Sequence, residues 1–432
     1  MADGTRSRPS RGGTAPVPLR IGIIGCGRIL PAHLRGYRLL REAGVDDFRI
    51  TALVARQEED AHRFRTRGQG PPPRPPVSHN PADPLAAPHL YVSDFQPEEE
   101  ARVYPTVEAM LAAGVVDAVD ITATLPVHHT AGLACLAAGK HALIQKPLAV
   151  TVRAGRLLVE AAERNGLTLG VFENVRTIEQ MRLARWLIER GELGRIQMAA
   201  AVSIGTAEWS PDRVVADTPW RHDRLLAGGG ASLDMGVHLM HRLRYLVGEI
   251  ERITALTRVF EPERVRRDAA GVAHSRHPAD ADDAFFALPE FAGGAVGTLA
   301  FTWAGHGAPT GLPGGLTIYG DGGSLRGTTL VRDGGEEVDA RTLFDAEADA
   351  ATRERFFPHG LTDSFAVLLL DWLRAIRRGG QPETSGMEGL RDLAAAFAML
   401  ESSAAGGPVR VADVLAGRVR AYQEAIDAHH GL

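Results

Sequence analysis

The alternation of short apolar runs with helical segments between Leu19 and Phe172 constrains the fold of this chain more than any other feature. Runs such as Leu19–Ile24 and Phe48–Val54 are each followed by a segment with helical periodicity. Strands joined through helices pair in parallel, because the helix carries the chain back across the sheet before the next strand starts. The pattern therefore predicts an α/β chain whose N-terminal part is a doubly wound parallel sheet.

A glycine turn lies between the first predicted strand and a helix that continues to Arg41. Gly25 permits the tight turn, and Gly27 lets the backbone approach a pyrophosphate. Arg28 and Ile29 lead into the helix, whose unpaired N–H groups attract the negative charge of a phosphate. The position for a third small residue is occupied by Leu30 instead. The turn predicts a dinucleotide-binding domain.

The end of the second predicted strand indicates which dinucleotide is bound. An acid there would bind a ribose hydroxyl, but the chain has Ala55 followed by Arg56. A small residue and a guanidinium leave room and charge for a 2′-phosphate. The cofactor prediction is therefore NAD(P), with NADP preferred. The alternative is that Arg56 only opens a solvent-facing helix.

Residues 68–97 interrupt the alternating pattern with many prolines and several glycines. Such a composition predicts an insertion loop without regular structure. A lid, a contact arm and a disordered segment all remain open for a loop of this length. We expect the part from Gly68 to Pro88 to be dispensable for folding, because the surrounding pattern is complete without it.

The second half of the chain has extended runs that follow one another without intervening helices. Consecutive strands predict a large mixed or antiparallel sheet, with helices covering one face. The predicted organisation is a disordered leader over residues 1–18, a dinucleotide-binding domain over 19–148 and a C-terminal α+β domain over 149–432. The predicted strands of the second sheet are 196–204, 253–260, 284–291, 295–303 and 316–319, and the predicted helices are 232–247, 362–378 and 387–403.

Composition excludes several classes of partner. The chain has 432 residues and a net charge of −5 with both signs interspersed, so the basic surface expected of a nucleic-acid binder is missing. No apolar run reaches the length of a membrane span. Cys26 and Cys135 are the only two cysteines, which excludes a disulfide framework and a cysteine-based metal site and is typical of the reducing cytoplasm.

The segment from Gly228 to His238 offers an acid and an imidazole. Asp234 and His238 lie four residues apart, so a continuous helix would place both side chains on one face. The preceding glycines would let the backbone lie close to a ligand. The structural alternative is an ordinary amphipathic helix with a core histidine. A different functional alternative is a metal site of Asp234, His238 and His241, although a closed site would need a further ligand.

Taken in order, these motifs resemble the Gfo/Idh/MocA family of nicotinamide-dependent oxidoreductases, which act mostly on sugars, sugar derivatives and polyols. The resemblance covers about residues 19–415. The departures are Leu30, Thr124-Leu125 in place of Thr-Pro, Gln145 in place of Glu, and the Pro-rich insertion. The resemblance rests on Gly25-x-Gly27, Thr124 to His129, Gln145-Lys146-Pro147 and Gly228 to His238, with further matches at 174–176, 191–196, 220–221, 319–325 and 385–390.

The resemblance implies roles for individual residues. Lys146, Asp234 and His238 would form the catalytic group and no metal would be needed, while a homo-oligomer would form through the C-terminal sheet. The cofactor site would comprise Gly25, Gly27, Arg28, Ile29, Arg56, Thr124, His129, Gln145 and Lys146, and the substrate site Asn174, Arg176, Trp220 and Arg221.

The expected reaction is hydride transfer between NAD(P) and a secondary alcohol or ketone of a sugar, sugar derivative or polyol such as an inositol. In the oxidation direction His238 would accept the hydroxyl proton, since histidine titrates near neutral pH. Asp234 would orient His238 or hold a neighbouring hydroxyl, and Lys146 would stabilise the developing alkoxide. The alternatives are a hydrolase or lyase of glycosides that uses transiently reduced bound nicotinamide, and a non-catalytic sugar or cofactor sensor.

Overall fold

The computed structural model describes residues 17–205, 211–268, 270–312 and 314–432. Residues 1–16 of the predicted leader lie outside the described residues. The strands are β1 (Leu19–Ile24), β2 (Phe48–Val54), β3 (Arg102–Tyr104), β4 (Ala118–Ile121), β5 (His141–Gln145), β6 (Leu169–Phe172), β7 (Ile196–Ile204), β8 (Ile250–Arg258), β9 (Glu263–Arg267), β10 (Ala273–Pro278), β11 (Ala284–Phe291), β12 (Val296–Thr302), β13 (Thr310–Gly311), β14 (Thr317–Gly320), β15 (Gly323–Arg326), β16 (Thr329–Arg332), β17 (Glu337–Asp339) and β18 (Val409–Arg410).

The α-helices alternate with strands in the first half of the chain and cluster towards the C-terminus in the second. They are α1 (Leu30–Glu42), α2 (Glu58–Arg65), α3 (Val107–Ala112), α4 (Leu125–Ala137), α5 (Val152–Arg164), α6 (Glu179–Glu189), α7 (Arg224–Ala227), α8 (Ala231–Asp234), α9 (Gly236–Leu246), α10 (Ala340–Glu347), α11 (Ala350–Phe356), α12 (Ser364–Arg378), α13 (Gly386–Ala405), α14 (Val411–Leu415) and α15 (Glu424–His429).

The first sheet has six strands in the order β3-β2-β1-β4-β5-β6, and all of its pairs are parallel. This confirms the predicted doubly wound sheet. The strand order reverses between β1 and β4, and ligands of such sheets bind in the crevice at the carboxyl ends of the strands next to that point. The fold therefore places Gly25, Thr124 and Lys146, which follow β1, β4 and β5, along one edge.

The first sheet continues beyond residue 148, where the predicted boundary between the two domains lies. β6 pairs with β5 and completes the first sheet after that boundary. α12, from the far end of the chain, packs its apolar face on α1, where Gly36 allows Leu369 and the backbone of Phe365 to approach closely. Neither relation is visible in the local sequence, because each depends on a partner distant along the chain.

The second sheet is mixed, with the main order β17-β16-β15-β14-β7-β12-β11-β8-β18 and β13 on β7. β7 and β12 pair in parallel, while the other neighbours are antiparallel. The largely buried α13 covers one face. The other face is open and carries exposed apolar side chains at Met198, Leu256, Phe286, Leu288, Val296 and Tyr319.

The Pro-rich insertion is more ordered than its composition predicts. Short 3₁₀ turns form at Pro84–Ala86 and Val92–Asp94. Val92 is buried, and the Gln96 side chain bonds both the N–H and the carbonyl of Ile50 on β2. The second part of the predicted loop is thus part of the domain core, because its apolar residues cover a surface that the short α2 leaves open.

Candidate active site

Lys146 and Asp234 meet where the end of β5 approaches the end of α8. Lys146 follows β5 and precedes Pro147 through a cis peptide bond. Its Nζ donates hydrogen bonds to Asp234 Oδ1 at 2.9 Å and to the Asp234 carbonyl at 2.7 Å. Burial alone would raise the pKa of the Asp234 carboxyl, but the charges of Lys146 and Arg221 lower it well below its usual range. Asp234 is therefore ionised and holds the lysine ammonium in place.

The backbone around Asp234 differs from the predicted helix over 232–247. α8 ends at Asp234, and α9 begins only at Gly236. The preceding glycine run is packed against protein, because a Cβ on Gly230 would collide with the carbonyl of Asp282. The Asp282 carboxylate accepts bonds from the Gly230 and Ser232 N–H groups. Close approach of the protein backbone, rather than of a ligand, explains these glycines.

His238 is held by Glu173, a residue that the sequence analysis did not select. The His238 Nδ1 lies 2.6 Å from Glu173 Oε1, and the Glu173 side chain is only 2% exposed. Burial alone would raise the pKa of Glu173, but His238, His241 and Lys146 lower it to about 2. The carboxylate thus accepts the Nδ1 proton, and the expectation that Asp234 orients His238 is wrong. Asp234 is engaged by Lys146 and Arg221 instead.

The protonation state of His238 suits a base. Burial lowers its pKa below the ordinary value, and this outweighs the opposite effect of Glu173. At neutral pH the imidazole is then neutral, with its proton on Nδ1 facing Glu173 and a lone pair on Nε2. Nε2 can accept a proton from a substrate hydroxyl or, once protonated, return one to a carbonyl oxygen.

The four expected substrate residues separate into two groups. Arg221 donates to Asp234 Oδ2 at 3.3 Å and stacks on the Trp220 ring, so both lie beside Lys146 and Asp234. The Trp220 indole Nε1 is buried without a hydrogen-bond partner among the described residues. Asn174 donates to the Ser364 hydroxyl.

Arg176 is placed differently from the expectation. It is buried in a network with Glu383, Glu388 and the Nε2 of His241. His241 in turn is 2.5 Å from Asp392. The structure does not bring Arg176 to Lys146 or His238, because its guanidinium bonds to partners inside the protein core.

The glycine turn has the geometry that a dinucleotide requires. Gly25 has a φ of +104°, and a Cβ there would meet the backbone of Ala123. Nothing lies within 4 Å of the Cβ position of Gly27, so the space above the turn is open. Ile29 caps α1 without any side-chain bond; Pro31 has no N–H, and the Ala32 N–H donates to the Ile29 carbonyl at 3.0 Å. The turn therefore fits a pyrophosphate.

The Pro-rich insertion borders the glycine turn. Arg74 of the insertion donates to the carbonyl of Cys26 at 3.4 Å, and Arg28 donates to the carbonyl of Pro75 at 3.2 Å. Arg28 also pairs with Asp217 of the second half of the chain at 3.1 Å. Arg56 is exposed, and among the described residues no hydrogen bond or ion pair involves its guanidinium.

Gln145 belongs to a buried polar chain behind Lys146. Its Oε1 accepts the Lys146 backbone N–H at 2.7 Å, and its Nε2 lies 3.1 Å from His33 Nε2. His33 Nδ1 lies 2.8 Å from Asp120, which also accepts from the Tyr37 hydroxyl. Gln145 thus positions Lys146 from inside the domain, where its amide donates to a histidine that is itself fixed by an acid.

The two histidines of α4 have different surroundings. The ring nitrogens of His128 lie 2.9 Å from the Pro147 carbonyl and 3.0 Å from the Ala123 carbonyl. His129, the residue expected at the cofactor, packs against His430 near the C-terminus, and burial lowers its pKa to about 4. The histidine that contacts the Lys146-Pro147 turn is therefore His128. Thr124 is exposed at the N-terminus of α4.

Comparison with known proteins agrees with this geometry. Residues 19–173 match the model described as oxidoreductase family, NAD-binding Rossmann fold, and residues 181–326 match the GFO/IDH/MocA C-terminal domain. The chain belongs to the Gfo/Idh/MocA family.

Named relatives of this Gfo/Idh/MocA chain include sugar dehydrogenases. It is 28% identical to levoglucosan dehydrogenase from Pseudarthrobacter phenanthrenivorans over 67% of this chain and 78% of that protein. It is 27% identical to D-apiose dehydrogenase from Paraburkholderia graminis over 90% and 88% of the two chains. A solved levoglucosan dehydrogenase in complex with NADH and L-sorbose matches the fold with a TM-score of 0.70 at 22% identity, over 92% of this chain and 99% of that one.

The described residues offer neither a metal cluster nor a membrane span. Across ranges 17–205, 211–268, 270–312 and 314–432, no three metal-ligating side chains of His, Cys, Asp or Glu converge. Asp234, His238 and His241 each face a different partner. Within the same ranges every helix is too short or too polar to cross a bilayer.

Proposed function

We propose that this protein is an NAD(P)-dependent dehydrogenase that interconverts a secondary alcohol and a ketone on a sugar, sugar derivative or polyol. The observation that carries the proposal is the meeting of Lys146 and the His238–Glu173 pair at the carboxyl end of β5 and β6, at the edge that also carries the glycine turn. The sugar dehydrogenases among the relatives support this substrate class.

Each group has a distinct task in the oxidation direction. Bound nicotinamide supplies the hydride acceptor. Lys146, fixed by Asp234, places a positive charge beside the substrate oxygen and favours its alkoxide character. His238 Nε2 takes the hydroxyl proton, and Glu173 stabilises the imidazolium that forms. In the reverse direction the imidazolium returns that proton to the carbonyl oxygen.

Two finer features belong to the same proposal. NADP is the preferred cofactor, because Arg56 follows β2 as an exposed guanidinium that a 2′-phosphate would pair with. Self-association occurs through the open face of the second sheet, whose exposed apolar side chains would be covered by a second copy. We place the protein in the cytoplasm.

A screen of sugars, inositols and their keto forms with both cofactors tests the function through the absorbance of reduced nicotinamide. Appearance of the reduced cofactor with an alcohol, or its consumption with the corresponding ketone, is the expected result. Conversion of a glycoside with retained cofactor and no net absorbance change would identify a hydrolase or lyase instead. Binding of sugar without any conversion would identify a sensor.

A further inference from the structure

Arg242 is a cation beside the active site that the proposed reaction does not use. It lies on α9 four residues after His238, so the two side chains share one helix face. The Arg242 Nε is shut off from water. Among the described residues its guanidinium makes no hydrogen bond and no ion pair. The residue as a whole is only half-buried, so the rest of the guanidinium can reach a ligand, and hydrogen bonds to that ligand would be charge-assisted.

Its helix position brings Arg242 close to the His238–Glu173 pair. The negative charge of Glu173 opposes the lowering of the Arg242 pKa by burial. The positive charge of Arg242 contributes to lowering the pKa of His238. Glu173 accepts its hydrogen bond from His238 at 2.6 Å. Arg242 is therefore near this carboxylate but not hydrogen-bonded to it. Its donors therefore remain available to a molecule that occupies the site.

The site has more cationic than anionic side chains. Lys146, Arg221 and Arg242 are cations, whereas Asp234 and Glu173 are the carboxylates that face them. Both carboxylates already have hydrogen-bond partners: Asp234 is bonded to Lys146 and Arg221, and Glu173 is bonded to His238. One positive charge, that of Arg242, is left without a hydrogen-bonded counterion. An anionic group on the ligand would complete the set.

From this arrangement we infer that the substrate carries a carboxylate, and that Arg242 binds it. A planar guanidinium matches a carboxylate with two parallel hydrogen bonds, which a hydroxyl cannot provide. The substrate class is then a sugar acid, such as a uronic or aldonic acid, whose carboxylate lies near Arg242 while a ring or chain hydroxyl lies at His238. This inference rests on the proposed function and narrows its substrate.

The test compares an acid with a neutral molecule of the same shape. We would measure kcat/KM for D-glucuronate and D-glucuronamide, for D-galacturonate and D-galactose, and for matched aldonic acids and polyols. A charged hydrogen bond is worth roughly a ten- to hundredfold preference. The wild type should prefer the acid by about that factor, mainly through KM, and Arg242→Leu should lose the preference, with partial recovery in Arg242→Lys. Arg164→Leu, which removes an exposed arginine on α5, is the matched control and should keep it.

Thermal stability gives a readout that does not depend on turnover. Each acid, added with cofactor, should raise the Tm of the wild type and not that of Arg242→Leu. Without ligand the leucine variant should be about as stable as the wild type, because Arg242 makes no hydrogen bond or ion pair among the described residues.

The results of these experiments distinguish the carboxylate inference from the proposed dehydrogenase function. Oxidation of neutral sugars with no preference for acids would overturn the carboxylate inference and leave the dehydrogenase function intact. Absence of any hydride transfer across the whole panel would overturn the function, and the Tm shift would then decide whether Arg242 binds carboxylates. A Tm increase of the same size in the wild type and Arg242→Leu would refute the role of Arg242.

Discussion

Replacement of Glu173 by glutamine tests how His238 works as a base. The change keeps the shape of the side chain and an oxygen acceptor but removes the negative charge 2.6 Å from Nδ1. A buried hydrogen bond to a charged group contributes about 1.5–3 kcal/mol. If the bond is fully developed only when His238 is protonated, its loss lowers kcat for oxidation by roughly ten- to a hundredfold.

The same substitution has a defined effect on pH dependence. The Glu173 carboxylate favours imidazolium, so its removal lowers the pKa of His238 further below the ordinary value. The base then stays neutral to lower pH, and the acidic limb of the kcat/KM profile for oxidation moves to lower pH by about one to two units. Steady-state rates across the acidic range measure both effects. Glu261→Gln, which alters a half-buried glutamate 2.8 Å from His306 and distant in sequence from the site, is the control. A rate loss with an unmoved acidic limb would refute the assignment of that limb to His238.

Four further predictions concern other parts of the molecule. Lys146→Met should lower kcat by at least tenfold and weaken cofactor binding, and retention of both would remove the lysine from the mechanism. Arg56→Ala should reduce the NADP to NAD preference in kcat/KM by roughly ten- to a hundredfold, whereas an unchanged ratio would leave Arg56 as a solvated helix residue. Shortening within residues 79–83 should leave Tm nearly unchanged, because this stretch is largely exposed, while Val92→Ala should lower Tm measurably. Equal effects on Tm would contradict the conclusion that only the second part of the insertion belongs to the core. Phe286→Glu on the open sheet face should reduce the oligomeric mass measured by light scattering, and an unchanged mass would place the interface elsewhere.

The strands of the first sheet could be predicted because each is a buried apolar run between turn signals. β1 and β2 have the predicted bounds, as do β7 and β11 in the second sheet. The hairpin of β9 and β10 was missed, because its sequence is dominated by charged residues such as Arg264 and Arg266 and lacks an apolar alternation. Arg264 is nevertheless buried, where Asp283 neutralises it at 2.8 Å. Tertiary pairing of this kind leaves no local signal.

The site shows the same division between local pattern and tertiary contact. The motifs predict Lys146 and His238 as site residues. In the structure Lys146 lies beside Asp234, and His238 lies beside Glu173. Glu173 also follows a buried strand, β6, at the ligand side of the sheet, but this position alone does not predict that it pairs with His238. Arg176 follows the same strand and is a core residue, because its partners Glu383 and Glu388 come from a segment about two hundred residues away.

The sequence also contains a signal for the buried polar chain behind Lys146. Asp120 stands within an otherwise apolar strand, and His33 lies on the buried face of α1. A buried acid and a buried histidine in adjacent elements predict each other, since each needs a partner. Their meeting explains how Gln145 can occupy a place where the resemblance led us to expect an acid.

Single-turnover hydride transfer in His238→Asn tests the account most directly. Enzyme saturated with cofactor is mixed with an alcohol substrate identified by the screen, and the absorbance of reduced nicotinamide is followed alongside the cofactor Kd. Because general acid–base groups contribute about 10²–10⁴-fold, the rate should fall by that factor while the Kd stays within about twofold, since no contact joins His238 to the glycine turn among the described residues. Hydride transfer at the wild-type rate would contradict the assignment of His238 as the proton acceptor and with it the proposed mechanism.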